Sequence, residues 1–378
     1  MSQFDDDDIP LTVFGGSLTA PSNSPVQTTA HYLVMMEGVD PGKHIEVAQT
    51  PVTIGRGAGQ TLVIAGDTLV SRQHARVALV NGQVVAEDLG STNGTFVNTQ
   101  RVNKPVVITE GQHLRVGHQI LKYERKSRRD VERAQELQRD LRKASGYVSA
   151  LLPPPITSGP VRTEWHFHPS AQLGGDAFGY DWLDSTTFTF YLMDVAGHGV
   201  GSAMHSVSAM NVLRQRALPG VDFRNPAEVL TSLNQRFQMA AHDGLYFTMW
   251  IGVYDTDRRT LVYSSAGHHP AFQVPADGGT TLPLGEPELM IGIVPEQTYE
   301  AQQAVIAPGS RIYLFSDGVF EIVGQDDSRW SLDNFLPMLR ESGAAGHPSP
   351  ARLFELVRES AKPGGMEDDF SLLAVTFL

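Results

Sequence analysis

The sequence predicts two domains of different fold class, an all-β sandwich at the N-terminus and an α+β domain at the C-terminus. Residues 31–123 contain short β-type segments separated by turn residues, with no convincing helix between them. Residues 156–378 instead mix strands with amphipathic helices. The length of 378 residues agrees with this division, because chains of this size usually exceed one hydrophobic core.

The composition limits the partners and the location of the protein. The chain has no cysteine, a formal net charge of -13 and a hydrophobic content of 41%. Such an acidic chain is unsuited to neutralising the phosphates of nucleic acid, although solubility alone also explains much of the charge. The sequence contains no apolar run of membrane length and no basic-then-apolar leader. We therefore expect a cytoplasmic protein that binds neither nucleic acid nor membranes.

We predict that residues 1–30 form a disordered tail. They contain four consecutive aspartates at positions 5–8, followed by a stretch rich in glycine, serine, proline and threonine. The β-rich domain follows over residues 31–123, and its pattern of short strands is typical of a sandwich. Its clearest β-type segments are 32–36, 44–47, 52–54, 75–80, 84–87 and 113–116.

Residues 124–155 are predicted to form a helical linker. Residues 125–142 are rich in strong helix formers, and Pro153, Pro154 and Pro155 end the segment. Apolar residues at spacings of three and four form one stripe of this helix: Val131, Ala134, Leu137, Leu141, Ala144, Val148 and Leu151. The stripe is equally compatible with packing on the same chain and with a coiled coil that makes a homodimer, so both alternatives stay open.

Strands and helices of the C-terminal domain come in groups and do not alternate strictly. This grouping favours an antiparallel β-sandwich flanked by helices. The predicted strands are 164–167, 187–193, 245–254, 260–264, 311–315 and 370–377. The predicted helices are 201–216, 225–241, 332–341 and 349–361.

Acidic residues mark the strand boundaries of this domain. Asp176 follows two glycines, Asp194 ends one strand, Asp317 follows another, and Asp368 and Asp369 precede the last strand. Neighbouring antiparallel strands bring such ends to one rim of a sheet. Carboxylates that converge repel one another, and bound Mg²⁺ or Mn²⁺ relieves this repulsion through oxygen ligation. The sequence therefore predicts an acidic site for hard divalent cations.

Two other interpretations account for part of these residues. Any single aspartate is explained by support of a turn. Gly197, Gly199 and Gly201 also match the strand–glycine–helix pattern of a dinucleotide-binding loop. That pattern leaves the other aspartates unused and requires parallel βαβ units that the sequence does not show.

Four segments occur in the order seen in a known family: Gly174-Gly175-Asp176, Asp194-Val195-Ala196-Gly197-His198-Gly199, Ser316-Asp317-Gly318 and Glu367-Asp368-Asp369-Phe370-Ser371-Leu372. Over residues 145–378 the chain resembles the metal-dependent PPM (type-2C) protein phosphatases. It is most similar to their bacterial branch, the stage-II-sporulation phosphatase and its stress-response relatives. The resemblance implies a β-sandwich flanked by helices, with two Mn²⁺ or Mg²⁺ ions in a cleft at one end.

The resemblance also implies a set of metal-binding residues: Asp176, Asp194, Val195, Asp317, Asp368 and Asp369. Asp194 would bridge both ions, and the carbonyl of Val195 would help to hold one of them. Asp317 and Asp368 would bind the other ion, and the remaining two aspartates would act through water or from behind the ligands. Asp194, Asp317 and Asp368 are thus the expected catalytic residues. Hydrolysis would use a water activated by the two ions, without a phosphoenzyme.

The same resemblance bears on three histidines near these motifs. His198 is a candidate proton donor to the leaving oxygen, but the residue order of the eukaryotic motif is changed here, which favours a non-catalytic position. His268 and His269, within Ala-Gly-His-His-Pro, are expected to be structural and to line the cleft. The arginine with which eukaryotic members grip the phosphate has no evident counterpart, so phosphate binding is expected to depend on the metals.

Three motifs of the β-rich region carry a second resemblance: Gly55-Arg56, Ser71-Arg72-Gln73-His74-Ala75 and Leu89-Gly90-Ser91-Thr92-Asn93-Gly94-Thr95-Phe96-Val97-Asn98. Over residues 31–123 they are similar to the forkhead-associated (FHA) domain, a family that binds phosphothreonine peptides. Arginines, hydroxyls and amides are suitable donors to a phosphate. The implied phosphopeptide-binding residues are Arg56, Ser71, Arg72, Thr92 and Asn93. His74 would brace their loop, and the alternative is a purely structural sandwich.

The two resemblances together imply a metal-dependent protein serine/threonine phosphatase, recruited or regulated by phosphothreonine binding at its FHA domain. The expected partners are a phosphothreonine-containing protein, a phosphorylated substrate protein and a Ser/Thr kinase pathway. By analogy with the branch, the substrate is expected to be an anti-sigma-factor antagonist. The rival interpretation is a non-catalytic phosphothreonine-binding adaptor with a regulatory pseudophosphatase domain. The intact acids argue against that rival, because a pseudoenzyme does not need a mutually repelling cluster.

Overall fold

The computed structural model describes residues 29–277, 279–286, 288–340 and 347–378. The predicted tail lies outside these residues up to position 28. The chain divides into two compact units, Met1–Gln138 and Arg139–Leu378. No helix among the described residues has both the length and the apolar character needed to cross a bilayer.

The first unit is a sandwich of two sheets. Its strands are β1 (Thr29–Glu37), β2 (His44–Val47), β3 (Val52–Gly55), β4 (Leu62–Val63), β5 (Ala75–Val80), β6 (Gln83–Asp88), β7 (Thr95–Val97), β8 (Gln100–Arg101), β9 (Val106–Ile108), β10 (His113–Val116) and β11 (Gln119–Ser127). One sheet has the order β2-β1-β11-β10-β7-β8, and the other has the order β4-β3-β5-β6-β9. Alternate residues such as Leu33, Ile54, Val77 and Leu114 point inward and form one core.

Strand β11 extends further than the sequence indicated. Residues 124–127, which were assigned to the linker, continue the strand and pair with β1 from Tyr32↔Glu124 to Thr29↔Ser127. Their helix-forming side chains are kept extended because β1 supplies a partner for the backbone, so tertiary pairing overrides local propensity. The partner strand β1 likewise includes Thr29 and Ala30, which were predicted to belong to the tail, and begins three positions before the predicted strand 32–36.

The linker helix α1 runs from Arg128 to Ala150 and ends before the prolines. Its apolar stripe is used within the chain at both ends. Val131 is buried against β1 in the first unit, and Val148 is buried against Ala203 in the second. Leu137, between them, is 62% exposed. The homodimer through this helix stays a prediction.

The second unit contains two five-stranded antiparallel sheets. Its strands are β12 (Val161–His168), β13 (Ala177–Trp182), β14 (Thr187–Val195), β15 (Phe247–Asp255), β16 (Thr260–Ala266), β17 (Ala271–Val274), β18 (Leu282–Leu284), β19 (Gln302–Val305), β20 (Arg311–Phe315) and β21 (Phe370–Phe377). Its helices are α2 (Val200–Arg214), α3 (Pro226–Arg236), α4 (Leu332–Phe335) and α5 (Pro350–Ser360). The sheet orders are β12-β21-β20-β17-β18 and β13-β14-β15-β16-β19.

Large apolar side chains fill the space between these two sheets. Phe178, Phe190 and Trp250 of one sheet pack with Phe377 of the other. The Trp250 indole donates a hydrogen bond to the Leu284 carbonyl (2.7 Å), so its polar atom is satisfied in the core. Helices α2 and α3 cover the outer face of one sheet, and α4 and α5 cover the other. The structure thus confirms the predicted antiparallel sandwich flanked by helices.

Two predicted helices are shorter than expected. Helix α3 ends at Arg236, and a separate 3₁₀ turn, Met239–Ala241, follows it. Helix α4 spans only Leu332–Phe335 and then tightens into a 3₁₀ turn that contains Pro337. Proline restricts the residue before it and lacks an N–H, which accounts for this early end. The short strands β13, β17, β18 and β19 escaped sequence-based prediction.

Candidate functional site

The first pair of predicted acids lies at one end of the sheet that contains β13 and β14. Ala177 pairs with Met193 in this ladder, which places Asp176 and Asp194 at the next step toward the rim. Asp194 remains within β14 and pairs with Thr248 of β15. The regular ladder therefore fixes the backbone on which Asp194 is carried.

The second group of acids lies at one end of the other sheet. The pairing of β20 with β21 ends at Phe315↔Leu372. Asp317, which comes two residues after the end of β20, therefore lies beside the start of β21. Ser316 joins the two segments, because its hydroxyl donates to the Asp369 carbonyl (2.8 Å) and accepts from the Ser371 N–H (3.1 Å). Nothing in the sequence indicated this role, although Ser316 belongs to the Ser316-Asp317-Gly318 motif.

Asp369 connects the two groups. One carboxylate oxygen accepts from the N–H (2.8 Å) and the hydroxyl (3.0 Å) of Ser170, and the other accepts from the N–H groups of Gly175 (2.7 Å) and Asp176 (3.4 Å). The segment from Ser170 to Asp176 leads from β12 in one sheet to β13 in the other. Asp369 is 4% exposed and holds this crossover in place.

Burial and mutual repulsion raise the pKa values of three of the acids. Burial, followed by the charges of Asp194 and Asp369, raises the pKa of Asp176 well above its usual value. Burial, followed by the charges of Asp317 and Asp368, raises the pKa of Asp194 to about 7. Burial together with Asp368 and Glu321 raises the pKa of Asp317 to about 6. Such raised values are typical of functional carboxylate clusters.

The donors fit a hard divalent cation in kind. The Oδ2 atom of Asp176 is buried and has no hydrogen-bond partner among the described residues. The Val195 carbonyl lies near Gly175, where an added Cβ would come within 2.7 Å of the oxygen. Oxygen atoms of this kind are preferred by Mg²⁺ and Mn²⁺. In the part of the chain that is described, however, no three acidic or histidine side chains stand close enough to form a ready set of metal ligands.

The histidines occupy different surroundings. His198 is exposed. His268 is buried, and its Nδ1 lies 2.7 Å from the His269 carbonyl. The His269 ring packs on Phe315 (centroids 4.6 Å apart) and Phe320 (5.3 Å). Burial lowers the pKa of His269 to about 4, so both its neutral state and its packing agree with the expected structural role.

In the first unit, Ser71 and Thr92 lie together. The Ser71 hydroxyl accepts from the Thr92 N–H (3.1 Å), and the two hydroxyls are 3.5 Å apart. The Ser71 N–H donates to Nδ1 of buried His74 (3.0 Å), so the proton of that ring is on Nε2, which donates to the Gly94 carbonyl (3.1 Å). His74 therefore ties the Ser71 loop to the loop that carries Thr92.

The remaining predicted phosphopeptide residues border the same loops. The Asn93 amide donates to the Leu69 carbonyl (2.9 Å). The Arg56 N–H donates to the Ser71 carbonyl (3.0 Å), and Arg72 is the residue after Ser71 in the sequence. The side chains of Arg56, Arg72, Thr92 and Asn93 are exposed.

Two aspartates that sequence reasoning missed shape these loops. Asp88 accepts from the hydroxyls of Ser91 (2.6 Å) and Thr95 (2.7 Å) at either side of Thr92. Burial raises the pKa of Asp88, but these hydrogen bonds outweigh it and the pKa lies below its usual value. Asp67 accepts from the N–H of Leu69 (3.0 Å) and from the N–H of His118 (2.7 Å). The His118 donor lies 51 residues from Asp67, so no local signal identified that contact. Asp88 bonds to residues of its own loop, and that short-range pattern was overlooked.

The fold and the acidic rim define a class, the PP2C-like α+β sandwich, joined here to an FHA-type module. The SiaA-PP2C domain of Pseudomonas aeruginosa has the same fold, with a TM-score of 0.55, 21% identity and coverage of 65% of this chain and 98% of that one.

Sequence comparison identifies the family. Residues 184–378 match the family model of stage II sporulation protein E (SpoIIE), and since this is half of the chain, the chain belongs to that family. Residues 52–117 match the FHA domain.

Relatives of each part are also known. Phosphoserine phosphatase RsbP of Bacillus subtilis (strain 168) is 26% identical over 196 residues, which cover 51% of this chain and 46% of the relative. Phosphoserine phosphatase RsbU of the same strain is 29% identical over 153 residues, 40% of this chain and 44% of the relative. FHA domain-containing protein FhaB of Mycobacterium tuberculosis (strain ATCC 25618 / H37Rv) is 40% identical over 88 residues, 23% of this chain and 56% of the relative. The chain thus spans about half the length of each relative.

Proposed function

We propose that the chain is a metal-dependent protein serine/threonine phosphatase that hydrolyses phosphoserine or phosphothreonine on a signalling protein. The observation that carries the proposal is the set of buried, mutually repelling carboxylates where the ends of two sheets meet, in a chain of the SpoIIE family. Retaining such charges costs stability, which a purely structural sandwich has no reason to accept.

The residues of the site would divide their work as follows. Asp176, Asp194, Asp317, Asp368 and the Val195 carbonyl would hold two Mn²⁺ or Mg²⁺ ions, which polarise water and offset charge on the phosphoryl oxygens when bound. Asp369 would contribute indirectly, by holding Gly175 and Asp176 in place. Its two oxygens already accept hydrogen bonds from Ser170 and this crossover, so we now propose it as a positioning residue more than as a ligand.

The first unit would bind a phosphothreonine-containing protein and thereby recruit a substrate or regulate the phosphatase. Ser71, Thr92 and the exposed arginines Arg56 and Arg72 offer the hydroxyl, amide and guanidinium donors that a phosphate requires. Asn93 would hold the peptide backbone.

Phosphate release from a phosphoserine protein, measured with and without Mn²⁺, tests the catalytic part. We expect release only with the metal, and a loss of at least about a hundredfold in Asp194→Ala and Asp317→Ala, since each removes a group that would hold the ions. Fluorescence of the four tryptophans, all of which lie in the second unit with these aspartates, serves as the folding control. Undiminished release by either variant would falsify the metal assignment.

The rival function is a phosphothreonine-binding adaptor with an inactive second domain. It requires that no phosphorylated protein is hydrolysed at any Mn²⁺ or Mg²⁺ concentration, while phosphopeptide binding persists. The two functions are therefore separated by the same assay.

The proposal extends to the substrate, the kinase pathway, the location and the oligomeric state of the protein. RsbP and RsbU carry the name phosphoserine phosphatase, which favours phosphoserine on a signalling protein, with an anti-sigma-factor antagonist as the first candidate. A Ser/Thr kinase pathway would supply the phosphothreonine partner, and the cytoplasm would be the location. Sedimentation of the full chain at several concentrations tests the homodimer through α1.

A further inference from the structure

Several cations of the first unit have no acidic partner among the described residues. The strand cations Arg76, Lys122 and Lys126 form ion pairs with glutamates. Within residues 29–127, the exposed side chains of Arg101 and Lys104 form no ion pair, and neither do those of Arg56 and Arg72. Arg56 and Arg72 belong to the predicted phosphate loops, but Arg101 and Lys104 have no role in them.

Arg101 lies directly beside the phosphate loops. It is carried on β8, and its guanidinium covers the backbone of Gly94, where an added Cβ would lie 2.7 Å from Nε. Gly94 has a φ of +83° and directly follows Asn93. The charge of Arg101 is therefore continuous with the edge of the predicted phosphothreonine site.

A cavity of about 400 Å³ opens next to Arg101. It is lined by the β7–β8 hairpin and the segment that follows, including Asn98, Asn103, Lys104 and Gln112. None of the described residues that line it is an aspartate or a glutamate, so the amides offer hydrogen bonds and the two cations offer positive charge. This combination suits a carboxylate or a phosphate, and arginine in particular offers two parallel donors.

The charge balance points the same way. Residues 29–127 contain ten lysines and arginines against eight aspartates and glutamates, although the whole chain has a net charge of -13. No excess of acids within this range therefore offsets the unpaired cations, which favours anionic ligands beside them.

We propose that Arg101 and Lys104 form a second anion site, which we call the flank site. It selects phosphothreonine segments that carry a further anionic residue beside the phosphothreonine, either an aspartate or glutamate or a second phosphorylated residue. This inference rests on the proposed phosphothreonine binding and names the class of partner that the unit prefers.

The test measures the affinity of the full chain for a panel of phosphothreonine peptides by fluorescence anisotropy. In one series an aspartate is moved one position at a time through both flanks of a neutral parent peptide, and in a second series phosphoserine replaces that aspartate. We expect one or two adjacent positions to bind roughly three- to tenfold more tightly than the parent, and this gain to shrink as salt is raised. The series with the larger gain identifies the kind of anion.

Variants link the gain to the flank site. In the double variant Arg101→Ala/Lys104→Ala, the affinity for the acidic peptide divided by the affinity for the neutral parent peptide should fall to about one. Arg125→Ala is the matched control, because Arg125 is also exposed and forms no ion pair among the described residues. It lies opposite His31 in the ladder of β1 and β11, near the C-terminal end of β11. That variant should keep the ratio of the wild type.

The possible failures are distinguishable. If the neutral parent binds but acidic peptides bind no more tightly, the flank site is wrong while phosphothreonine binding stands. An equal loss of the ratio in Arg125→Ala also overturns it, since only net charge would then matter. If no phosphothreonine peptide binds the wild type, the proposed function of the unit fails and the inference fails with it.

Discussion

Asp368 and Asp369 are adjacent in sequence but differ in burial and in hydrogen bonding. Asp368 is exposed, whereas Asp369 is 4% exposed and accepts hydrogen bonds from Ser170, Gly175 and Asp176. The donors on Ser170 are 199 residues away in the chain. The family resemblance placed both aspartates among the metal-binding residues and gave Asp369 only an indirect role, but the sequence contains no signal of its contact with Ser170.

The first prediction concerns this buried carboxylate. In Asp369→Asn one acceptor oxygen becomes a donor, so N–H groups of the crossover lose their partner. We expect a loss of about 1–3 kcal/mol in the free energy of unfolding, and a higher Mn²⁺ concentration for half-maximal phosphate release, because Asp176 is no longer held. Denaturant unfolding and metal titration of the activity measure the two effects.

Asp368→Asn is the matched control. Its side chain is exposed, so we expect a change in stability within about 0.5 kcal/mol. Its activity should nevertheless fall at every Mn²⁺ concentration if it binds the metal. The opposite pattern, in which Asp368→Asn destabilises and Asp369→Asn does not, would contradict the division of roles.

The second prediction concerns Asp67 and acid. Burial by itself raises the pKa of Asp67, but hydrogen bonds from His118, Leu69 and Gln119 outweigh it and lower the pKa from 3.8 to about 2. The folded unit therefore binds this proton less readily than the unfolded chain does. The resulting stabilisation, about 2 kcal/mol, is present above pH 4 and is lost as the pH falls from about 4 to about 2.

Hydrogen exchange measures this effect in the first unit alone. The wild type should lose protection of β3 and β10 through that pH range, whereas Asp67→Asn should be less protected already at neutral pH and change less on acidification. The four tryptophans all lie in the second unit, at 165, 182, 250 and 330, so their fluorescence is an internal control. Equal pH profiles for the two proteins would rule out this role of Asp67.

At the scale of elements, the site depends on a close approach between two segments. Gly318 lies in the 3₁₀ turn Asp317–Val319, and an added Cβ would come within 2.3 Å of the Asp369 carbonyl. Gly201 in α2 has open space around its Cβ position. Alanine substitutions at these two glycines therefore distinguish the effect of disturbing the close approach from the general effect of replacing a glycine.

The third prediction follows from that contrast. Gly318→Ala should lower phosphate release by at least about tenfold, because the Asp317 turn must move away from β21. Gly201→Ala should leave release unchanged and add up to about 1 kcal/mol to the free energy of unfolding, since alanine is favoured inside a helix. Comparable activities in the two variants would show that the close approach is unimportant.

The sequence predicted elements with a strong pattern and missed those defined by partners. Strands 311–315 and 370–377 agree with the structure residue for residue, because they are short, mostly apolar segments rich in β-branched and aromatic residues. Strand β18 has three residues and contains Pro283, so it has no pattern of its own and exists by pairing with β17. The end of β11 was mistaken for helix because its partner β1 lies about ninety residues earlier.

At the scale of the whole molecule, the two resemblances assigned each function to a different unit. The fold class of both units could be predicted because each carries several spaced motifs, and the acids at the strand ends follow from antiparallel topology. The roles of Asp67 and Ser170 could not be predicted, since they arise from contacts with His118 and Asp369, which are 51 and 199 residues away. Asp88 differs, because its hydrogen bonds stay within its own loop and are of a short-range kind that a sequence can indicate. The sequence therefore identified the residues expected to face a ligand better than the residues that hold them.

The last prediction is a double dissociation in the full chain. Arg56→Ala should abolish phosphothreonine-peptide binding, because a guanidinium partner of the phosphate is lost, while turnover of a small aryl phosphate, which needs no docking, stays within about twofold of the wild type. Asp194→Ala should do the reverse. Turnover with a protein substrate adds a third measurement: a fall in Arg56→Ala that is absent with the aryl phosphate indicates recruitment through the FHA unit. Equal peptide binding by Arg56→Ala and the wild type would remove Arg56 from the binding site.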